Sequence, residues 1–301
     1  PDFCFRVARR VKKMNTSIPV VHYVAPSVWA WRPKRAAKMA KFVDHVLALL
    51  PFEPPYMQAE GMSCDFVGHP ITLEKQADNQ DISEFRKVLG IPETSRIITI
   101  LPGSRASEVT KLSPVFRNVL AKLKEDFPDL VTIVPSVASR VDLLRQLFDG
   151  INVTILDPRQ LPVEVAEARK RACYGASSVA LAASGTVSLE LAAAGTPMVI
   201  AYKMHWLTAY VKRRMVRVSS ATLVNLLTKT DAVPEFLLED CTEENIYPAV
   251  KALLDNPELA NRQRLVSEHA IDLLREGEVA TGNSAAVSVF EFLKNTKNPH
   301  V

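Results

Sequence analysis

The sequence predicts an α/β protein built from two parallel sheets, and three observations lead to that fold class. Short apolar runs that suit buried strands alternate with helical patterns along most of the chain, as in parallel sheets covered by helices on both faces. A length of 301 residues exceeds one small domain and fits two. An apolar content of 48% with a charged content of 23% is that of a globular protein with a sizeable core.

Eight apolar runs are predicted to be strands, and helical patterns fill several of the gaps between them. The strands are expected at residues 18–24, 46–50, 65–67, 97–101, 130–134, 153–156, 178–182 and 198–201. Helices are expected around residues 36–42, 83–89, 107–125, 140–148, 163–171 and 186–194, after a first helix capped by Asp2. The polar stretch 74–83 reads as a linker. We therefore expect a first domain over residues 1–72, a second over 73–258, and a helical segment over 259–301 that returns to the first.

The positive charge of the chain is concentrated at its start. The net charge is +4, whereas residues 1–50 hold ten Lys or Arg and two Asp. A second basic group, Lys212-Arg213-Arg214 with Arg217, accompanies apolar residues at helical spacing. Such a helix fits an anionic membrane surface, and it equally fits a helix packed on its own domain with a solvated basic face. No nucleic-acid-binding motif accompanies the charge, so nucleic acid is not an expected partner.

Several classes of protein are excluded by missing patterns. No run approaches the roughly 18 apolar residues of a membrane span, and no signal peptide is recognisable. The four cysteines and six histidines lack the spacing of metal ligands, and the motifs of zinc peptidases, P-loops and dinucleotide-binding loops are absent. We expect reduced thiols, a cytoplasmic protein, and neither a metal nor a cofactor.

The first chemical motif follows the strand predicted over residues 97–101. Pro102 and Gly103 form a turn, Ser104 and Arg105 follow, and Glu108 lies near the start of a helix. In open α/β sheets ligands bind beyond the carboxyl ends of strands, where a glycine admits a phosphate to backbone N–H groups and an arginine binds its oxygens. The alternative is an ordinary turn in which Arg105 pairs with an acid such as Glu108.

The second motif follows the strand predicted over residues 178–182. Ser184, Gly185 and Thr186 precede a helix, whose free N–H groups form an anion site with two hydroxyls beside it. Glu190 lies one turn into that helix, on the face of Thr186. It suits the two hydroxyls of a nucleotide ribose. The alternative makes Glu190 a helix-dipole acid and the two hydroxyls simple caps.

A third cluster contains Asn225 in an apolar run, followed by Val233-Pro234-Glu235-Phe236. A buried asparagine needs hydrogen-bond partners, and the sequence leaves open whether these are neighbouring backbone groups or a ligand.

Two of the three tryptophans lie in residues 24–35, which we call the tryptophan loop. Trp29 and Trp31 are two positions apart and are followed by Arg32, Lys34 and Arg35. An extended backbone puts both rings on one side. They could cap the core, with the cations solvated, or form a surface for a ligand.

These motifs together resemble the bacterial lipid-A-disaccharide synthases, glycosyltransferases that join two acylated glucosamines. The resemblance runs over nearly the whole chain and includes the motifs in the order of that family. They are residues 1–3, 22–24 with the tryptophan loop, 50–53, 66–70, 101–105 with Glu108, 184–186 with Leu189-Glu190, 202–204 and 225–227. The resemblance implies the GT-B fold, in which two Rossmann-like domains face each other.

The resemblance also implies the reaction. A 6-hydroxyl of 2,3-diacylglucosamine 1-phosphate would displace UDP from UDP-2,3-diacylglucosamine with inversion, giving a β-1,6 disaccharide without a metal. Arg105 would stabilise the leaving group, together with the helix start at Ser184, Gly185 and Thr186. Gly103 and Ser104 would also bind the substrate. Glu190 would hold the ribose and Asn225 would lie near the donor. Trp29, Trp31 and Arg32 would border the acceptor side, at the cytoplasmic face of the inner membrane.

The chain departs from the family pattern in three respects. Val224 stands where the family usually has proline, and Leu238 where it usually has glutamine. The family has about a hundred further residues ahead of Pro1, including the aspartate best suited to be the general base, so we expect the first domain to be incomplete. Two other interpretations remain: another GT-B enzyme such as a UDP-sugar epimerase, or a non-catalytic fragment that binds UDP or membrane.

Overall fold

Short strands form two parallel sheets in the part of the chain that the structure describes. The structure is a computed structural model, and it describes residues 2–30, 34–203, 220–275 and 284–297. The strands are β1 (Val21–Tyr23), β2 (His45–Ala48), β3 (Ser63–Phe66), β4 (Ile97–Leu101), β5 (Val131–Pro135), β6 (Thr154–Leu156), β7 (Val179–Ala183), β8 (Met198–Tyr202) and β9 (Glu235–Leu237). One sheet has the order β1-β2-β3 and the other the order β6-β5-β4-β7-β8-β9. Every neighbouring pair in both is parallel.

Helices connect and follow these strands. They are α1 (Asp2–Met14), α2 (Lys34–Met39), α3 (Pro54–Gln58), α4 (Asn79–Leu89), α5 (Ala106–Asp126), α6 (Val141–Leu147), α7 (Val163–Ala176), α8 (Val187–Ala193), α9 (Leu223–Thr228), α10 (Glu243–Asp255), α11 (Pro257–Arg275) and α12 (Ser284–Lys297). Short 3₁₀ turns lie at Pro70–Leu73, Ala138–Arg140 and Leu238–Asp240.

The described residues divide into two compact units, each with one of the sheets. The first unit contains residues 2–73, 272–275 and 284–297, and the second contains residues 74–203 and 220–271. The predicted linker over residues 74–83 is shorter than expected, since α4 already begins at Asn79. Asp78 caps that helix: its side chain accepts hydrogen bonds from the backbone N–H groups of Gln80 and Asp81.

The first unit buries its apolar side chains between the three-stranded sheet and its helices. Phe5 of α1, Met39 and Val46 belong to one buried cluster. The helix α12 packs on β2, where Nε2 of His45 lies 2.8 Å from Oγ of Ser288 and the Phe292 ring stacks on the imidazole at 4.7 Å. A helix that follows β2 by more than 200 residues is thus fixed to the first sheet.

The second unit has helices on both faces of its six-stranded sheet. All five residues of β4 and all five of β7 are buried, which explains why their sequences are continuous apolar runs. One face packs against α5 and α10 through a cluster that includes Phe116 and Val250. The other packs against α4 and α7 through Phe85 and Cys173. This arrangement positions the ends of β4 and β7 at the centre of the sheet.

Some predicted elements differ from those observed, for local reasons. The strand expected over residues 46–50 ends at Ala48, because the N–H groups of Leu49 and Leu50 donate to the Glu53 carboxylate. The strand β9 and the helices α9 and α10 were not predicted. Since β9 has three residues and follows Pro234, its sequence carries too little periodicity to be recognised.

Candidate functional site

The candidate site lies at the carboxyl end of the second sheet, between β4 and β7. After β4 the chain adds β5 and β6 on one side, and β7 then pairs with β4 on the other side. At such a change of direction the loops after the two central strands diverge and leave a crevice, where ligands bind in open α/β sheets. Residues 103–105 follow β4 and residues 184–186 follow β7. The topology thus brings together the two motifs that the sequence predicts to bind phosphate.

The loop after β4 is shaped by a glycine. Gly103 has φ +112°, a conformation that favours glycine, and a Cβ there would lie 2.7 Å from Cβ of Glu108. Arg105 is 78% exposed, and its Nη1 donates to Oε1 of Glu108 at 2.6 Å. The hydrogen bond and charge of Glu108 raise the pKa of Arg105 above its ordinary value. The alternative of an Arg105–Glu108 pair is therefore present in the structure, with the guanidinium exposed.

Two further side chains, to which the sequence analysis gave no role, lie beside this loop. Nε of Arg140, in the turn after β5, donates to the Ser104 carbonyl at 3.1 Å. Tyr202 is the last residue of β8. Burial, and to a smaller extent the charge of Glu108, raises the pKa of its phenol, which therefore stays neutral. Neither residue was predicted to act on this loop, because each approaches it after another strand of the sheet. Tyr202 was quoted only as part of the family motif over residues 202–204. Position at a strand's carboxyl end was the available signal.

The loop after β7 is hydrogen-bonded to the protein through Ser184 and is exposed to solvent at Gly185 and Thr186. The Ser184 N–H donates to the Ala201 carbonyl at 3.0 Å, and its hydroxyl donates to the Ala221 carbonyl at 3.3 Å. The Gly185 carbonyl accepts from the Ser188 hydroxyl at 2.9 Å. Thr186 is exposed and makes no side-chain cap hydrogen bond. Of the two predicted hydroxyls, that of Ser184 therefore points back to the protein and that of Thr186 is not engaged as a cap.

Glu190 lies in the first turns of α8 and pairs with a cation of a neighbouring helix. Its Oε2 is 3.1 Å from Nζ of Lys170 on α7, and that ammonium also lies 2.7 Å from Glu167. The Glu190 side chain is about one third exposed. The carboxylate is thus held by a shared lysine rather than serving only as a helix-dipole acid.

Asn225 is buried, and its partners belong to the chain. Its Nδ2 donates to the Val233 carbonyl at 2.9 Å and to Oε1 of Glu235 at 3.1 Å, while its Oδ1 accepts from the Val233 N–H at 3.0 Å. The observed partners are therefore the Val233 backbone and the Glu235 carboxylate. Both amide hydrogens are used, so Asn225 acts on the site through Glu235.

Glu235 is the residue of this region that the sequence analysis quoted without giving it a role. Its carboxylate accepts hydrogen bonds from the Ser220 hydroxyl, the Ala221 N–H at 2.8 Å and the Thr222 N–H at 2.9 Å, besides that from Asn225. It therefore fixes residues 220–222, whose Ala221 carbonyl accepts from Ser184. The chemistry of an isolated glutamate gives no sign of this role, because its partners precede it by 10 to 15 residues.

The two departures from the family pattern lie close to this network. Val224 is fully buried in the first turn of α9, a position that proline also tolerates. Leu238 has φ +58° directly after β9, a left-handed conformation that is unfavourable for leucine.

In the first unit, Trp29 is anchored rather than displayed. Its indole Nε1 donates to Oε1 of the buried Glu53 at 3.0 Å, and its ring meets Phe52 edge-on at a centroid distance of 5.1 Å. Trp31 and Arg32 lie outside the described residues. Asp2 lies in the first turn of α1 and pairs with Arg35 at 2.7 Å.

Other predicted features either lie outside the described residues or concern absences. The basic stretch with Lys212, Arg213, Arg214 and Arg217 lies outside the described residues, and so does Met204. In the described ranges, no three His, Cys, Asp or Glu side chains cluster as metal ligands. No helix described here has the length and apolarity to cross a membrane.

Comparisons with known sequences point to one family. A family model described as lipid-A-disaccharide synthetase matches residues 1–289. A lipid-A-disaccharide synthase of Ruegeria pomeroyi is 50% identical over 97% of this chain and 72% of its own length. Another, of Rhodospirillum centenum, is 43% identical over 97% of this chain and 71% of its own length.

Comparisons with solved structures show the fold. A UDP-GlcNAc 2-epimerase from Neisseria meningitidis superposes with a TM-score of 0.60 at 15% identity, covering 97% of this chain and 73% of its own. A sucrose-phosphate synthase from Thermosynechococcus elongatus gives 0.57 at 13% identity, covering 96% and 71%. The predicted GT-B fold of two Rossmann-like domains is thereby confirmed.

Proposed function

The chain belongs to the lipid-A-disaccharide synthase family, and on that premise we propose the substrates and chemistry of its reaction. It is a glycosyltransferase of lipid A biosynthesis. The proposed donor is UDP-2,3-diacylglucosamine, and the proposed acceptor is 2,3-diacylglucosamine 1-phosphate. The products are the β-1,6-linked disaccharide 1-phosphate and UDP.

The pairing of β4 with β7, which brings the loops that follow the two strands to the same end of the sheet, is the observation that carries this proposal. Open α/β sheets bind ligands in a crevice at such a place. A nucleotide diphosphate is an anion, and this crevice is bordered by the exposed Arg105 and by the exposed start of α8 at Gly185 and Thr186. Backbone N–H groups and a guanidinium can bind phosphate oxygens from both sides. We therefore place the diphosphate of the donor between these two loops.

The chemistry follows from that placement. The acceptor 6-hydroxyl attacks the anomeric carbon from the face opposite UDP, the new C–O bond forms, and the bond to the UDP oxygen breaks. Arg105 and the α8 N–H groups stabilise the charge that develops on UDP, so the proposed reaction needs no metal. The hydroxyl proton passes to a general base, which the family resemblance puts ahead of Pro1.

The Arg105–Glu108 pair is compatible with phosphate binding. An ion pair whose arginine is 78% exposed contributes little to stability, so the doubly charged diphosphate of the donor can replace Glu108 as the partner of Arg105. Glu190 would similarly bind the ribose hydroxyls while it keeps Lys170. Asn225 and Glu235 would hold residues 220–222, and through Ala221 the Ser184 loop, in place.

The acyl chains of both substrates suggest where the enzyme works. We propose that it associates peripherally with the cytoplasmic face of the inner membrane, with Trp29, Trp31 and Arg32 on the acceptor side. The ten basic residues among the first fifty support this, because anionic lipids attract such a segment.

Titration calorimetry of the full 301-residue chain with UDP tests the donor site. Arg105→Ala is expected to weaken UDP binding about 30-fold, because a charge-assisted contact worth about 2 kcal/mol is lost. Arg145→Ala is the matched control, since Arg145 is also an exposed arginine paired three residues away, with Asp142. It is expected to change the affinity less than about twofold. Unchanged UDP affinity in Arg105→Ala would refute the proposed donor site.

A further inference from the structure

We propose that Glu53 is a positioning residue for the acceptor: its buried carboxylate holds residues 24–30 of the tryptophan loop in the conformation that binds the acylated glucosamine. This inference rests on the proposed function. It concerns the first unit, which the UDP site does not involve, so the two can fail separately.

The carboxylate of Glu53 is enclosed and fully used. The residue is 3% exposed. Its Oε1 accepts from the Trp29 indole at 3.0 Å, and its Oε2 accepts from the N–H groups of Leu49 at 3.2 Å and Leu50 at 3.1 Å. Within the described ranges no lysine, arginine or histidine forms an ion pair with it. A buried carboxylate without a cation is unfavourable for folding, so stability alone does not explain its presence.

Glu53 connects two loops at the same edge of the first sheet. The strands β1 and β2 are parallel neighbours, so the loops that follow them emerge together. The tryptophan loop follows β1, and residues 49–53 follow β2. The indole hydrogen bond and the edge-on contact of Trp29 with Phe52 join these loops. This edge is the one at which open α/β sheets bind ligands.

A second unfavourable feature lies at the start of the same loop. Val24 has φ +75°, although it is β-branched, and its N–H donates to the Leu47 carbonyl at 3.0 Å. Left-handed backbone at such a residue is a strained conformation that the surroundings must impose. The hydrogen bond of the strained Val24 thus fixes the start of the described part of the loop, and the hydrogen bond of Trp29 to the buried Glu53 fixes its end. Such a combination is typical of a preorganised binding element.

The end of β1, the start of the tryptophan loop and α3 also present surface of the right chemistry. Tyr23 and Val24 are 50% and 45% exposed, and Tyr56, three residues after Glu53, is 47% exposed. Aromatic rings pack on the faces of sugars, and apolar side chains pack on acyl chains. An acylated glucosamine carries both kinds of surface.

Binding titrations of the full chain test this role. Each protein is titrated with 2,3-diacylglucosamine 1-phosphate in nonionic detergent micelles, and separately with UDP. Glu53→Gln and Trp29→Phe are each expected to weaken acceptor binding about tenfold, which is one hydrogen bond to a charged group. The double variant is expected to bind the acceptor at most about twofold more weakly than either single variant, because both substitutions remove the same hydrogen bond. UDP affinity is expected to stay within about twofold.

Asp44→Asn is the matched control. Asp44 precedes β2 at the opposite edge of the same sheet, where its Oδ2 accepts from the Val20 N–H at 2.7 Å and pairs with Lys12. This variant is expected to lower the unfolding temperature and to leave acceptor affinity unchanged. Tryptophan fluorescence gives a further readout. Trp29→Phe removes the emission of Trp29, and Glu53→Gln is expected to shift the wavelength of that same emission.

Three results would overturn the positioning role. They are a folded Glu53→Gln variant with unchanged acceptor affinity, an equal loss in Asp44→Asn, and a wild-type chain that binds UDP but not the acceptor. A wild-type chain that binds neither ligand would refute the proposed function as well.

Discussion

The carboxyl-end loops of the two sheets are held in different ways. In the first unit a buried carboxylate, Glu53, accepts hydrogen bonds from two loops, and its partner Trp29 is half-buried. In the second unit the loop that contains Arg105 carries an exposed ion pair. The loop that contains Ser184 is held by the hydrogen bond of that serine to the Ala221 carbonyl. The loops of the first sheet are thus joined by buried contacts within the protein. Those of the second sheet carry an exposed arginine that can exchange its ion-pair partner.

This difference suits the ligands proposed for each edge. A diphosphate must be bound and then released as UDP, and a surface arginine can alternate between Glu108 and phosphate at little cost. An acylated sugar offers mainly apolar surface, which is recognised best by a preformed shape. Four substitutions test the contrast between a rigid first edge and an exchangeable second edge.

The largest effect is expected where the second edge is itself rigid. In Gly103→Val the Cβ would meet Glu108 at 2.7 Å with φ at +112°, so the free energy of unfolding is expected to fall by about 3 kcal/mol. Gly90→Ala is the control, because a Cβ there meets nothing within 4 Å and only φ +66° opposes it, costing about 1 kcal/mol. Urea denaturation measures both. Equal losses would show that the close approach to Glu108 has no role.

A somewhat smaller loss is expected at the support of the Ser184 loop. Glu235→Ala removes the acceptor of four hydrogen bonds and is expected to cost about 2.5 kcal/mol and to weaken UDP binding. Glu235→Gln keeps one acceptor oxygen and is expected to lose about half as much. If UDP affinity were unchanged in a folded Glu235→Ala variant, the second edge would not depend on this support.

The pH dependence of stability isolates the buried charge of the first edge. Burial raises the pKa of Glu53 from 4.5 to about 6, although its hydrogen bonds with Trp29, Leu50 and Leu49 oppose the shift. Between these values the folded state binds more protons than the unfolded state, so stability falls as pH rises. The unfolding free energy of the wild type relative to Glu53→Gln is therefore expected to drop by about 2 kcal/mol between pH 4.5 and 7. A difference independent of pH would contradict a buried ionised Glu53.

The smallest effect concerns exchange at the second edge. Glu108→Gln keeps the shape of the side chain and removes the charge that competes with phosphate for Arg105. UDP affinity is expected to rise about threefold at low salt, which is the size of an exposed ion pair. Calorimetry in increasing salt measures the gain, which screening should reduce. A loss of affinity would mean that Glu108 orients Arg105 for the ligand instead of competing for it.

Much of the second site was predictable because its chemistry is local in the chain. Arg105 follows its glycine by two residues, and the hydroxyls of Ser184 and Thr186 precede their helix directly, so strand, loop and helix could be recognised together. No role in the site was predicted for Arg140, Tyr202 or Glu235, since the first follows β5, the second ends β8 and the third begins β9. Asn225 was recognised as a buried amide, and only its contacts show that it holds Val233 and Glu235.

The sequence by itself determined the α/β class, the alternation of strands and helices and the family, because apolar periodicity and ordered motifs are properties of neighbouring residues. The tertiary structure decided what those motifs do together. It alone paired β7 with β4 and so brought together the two loops that the sequence predicts to bind phosphate. It also buried Glu53 beneath Trp29, because parallel strands join residues that the chain separates.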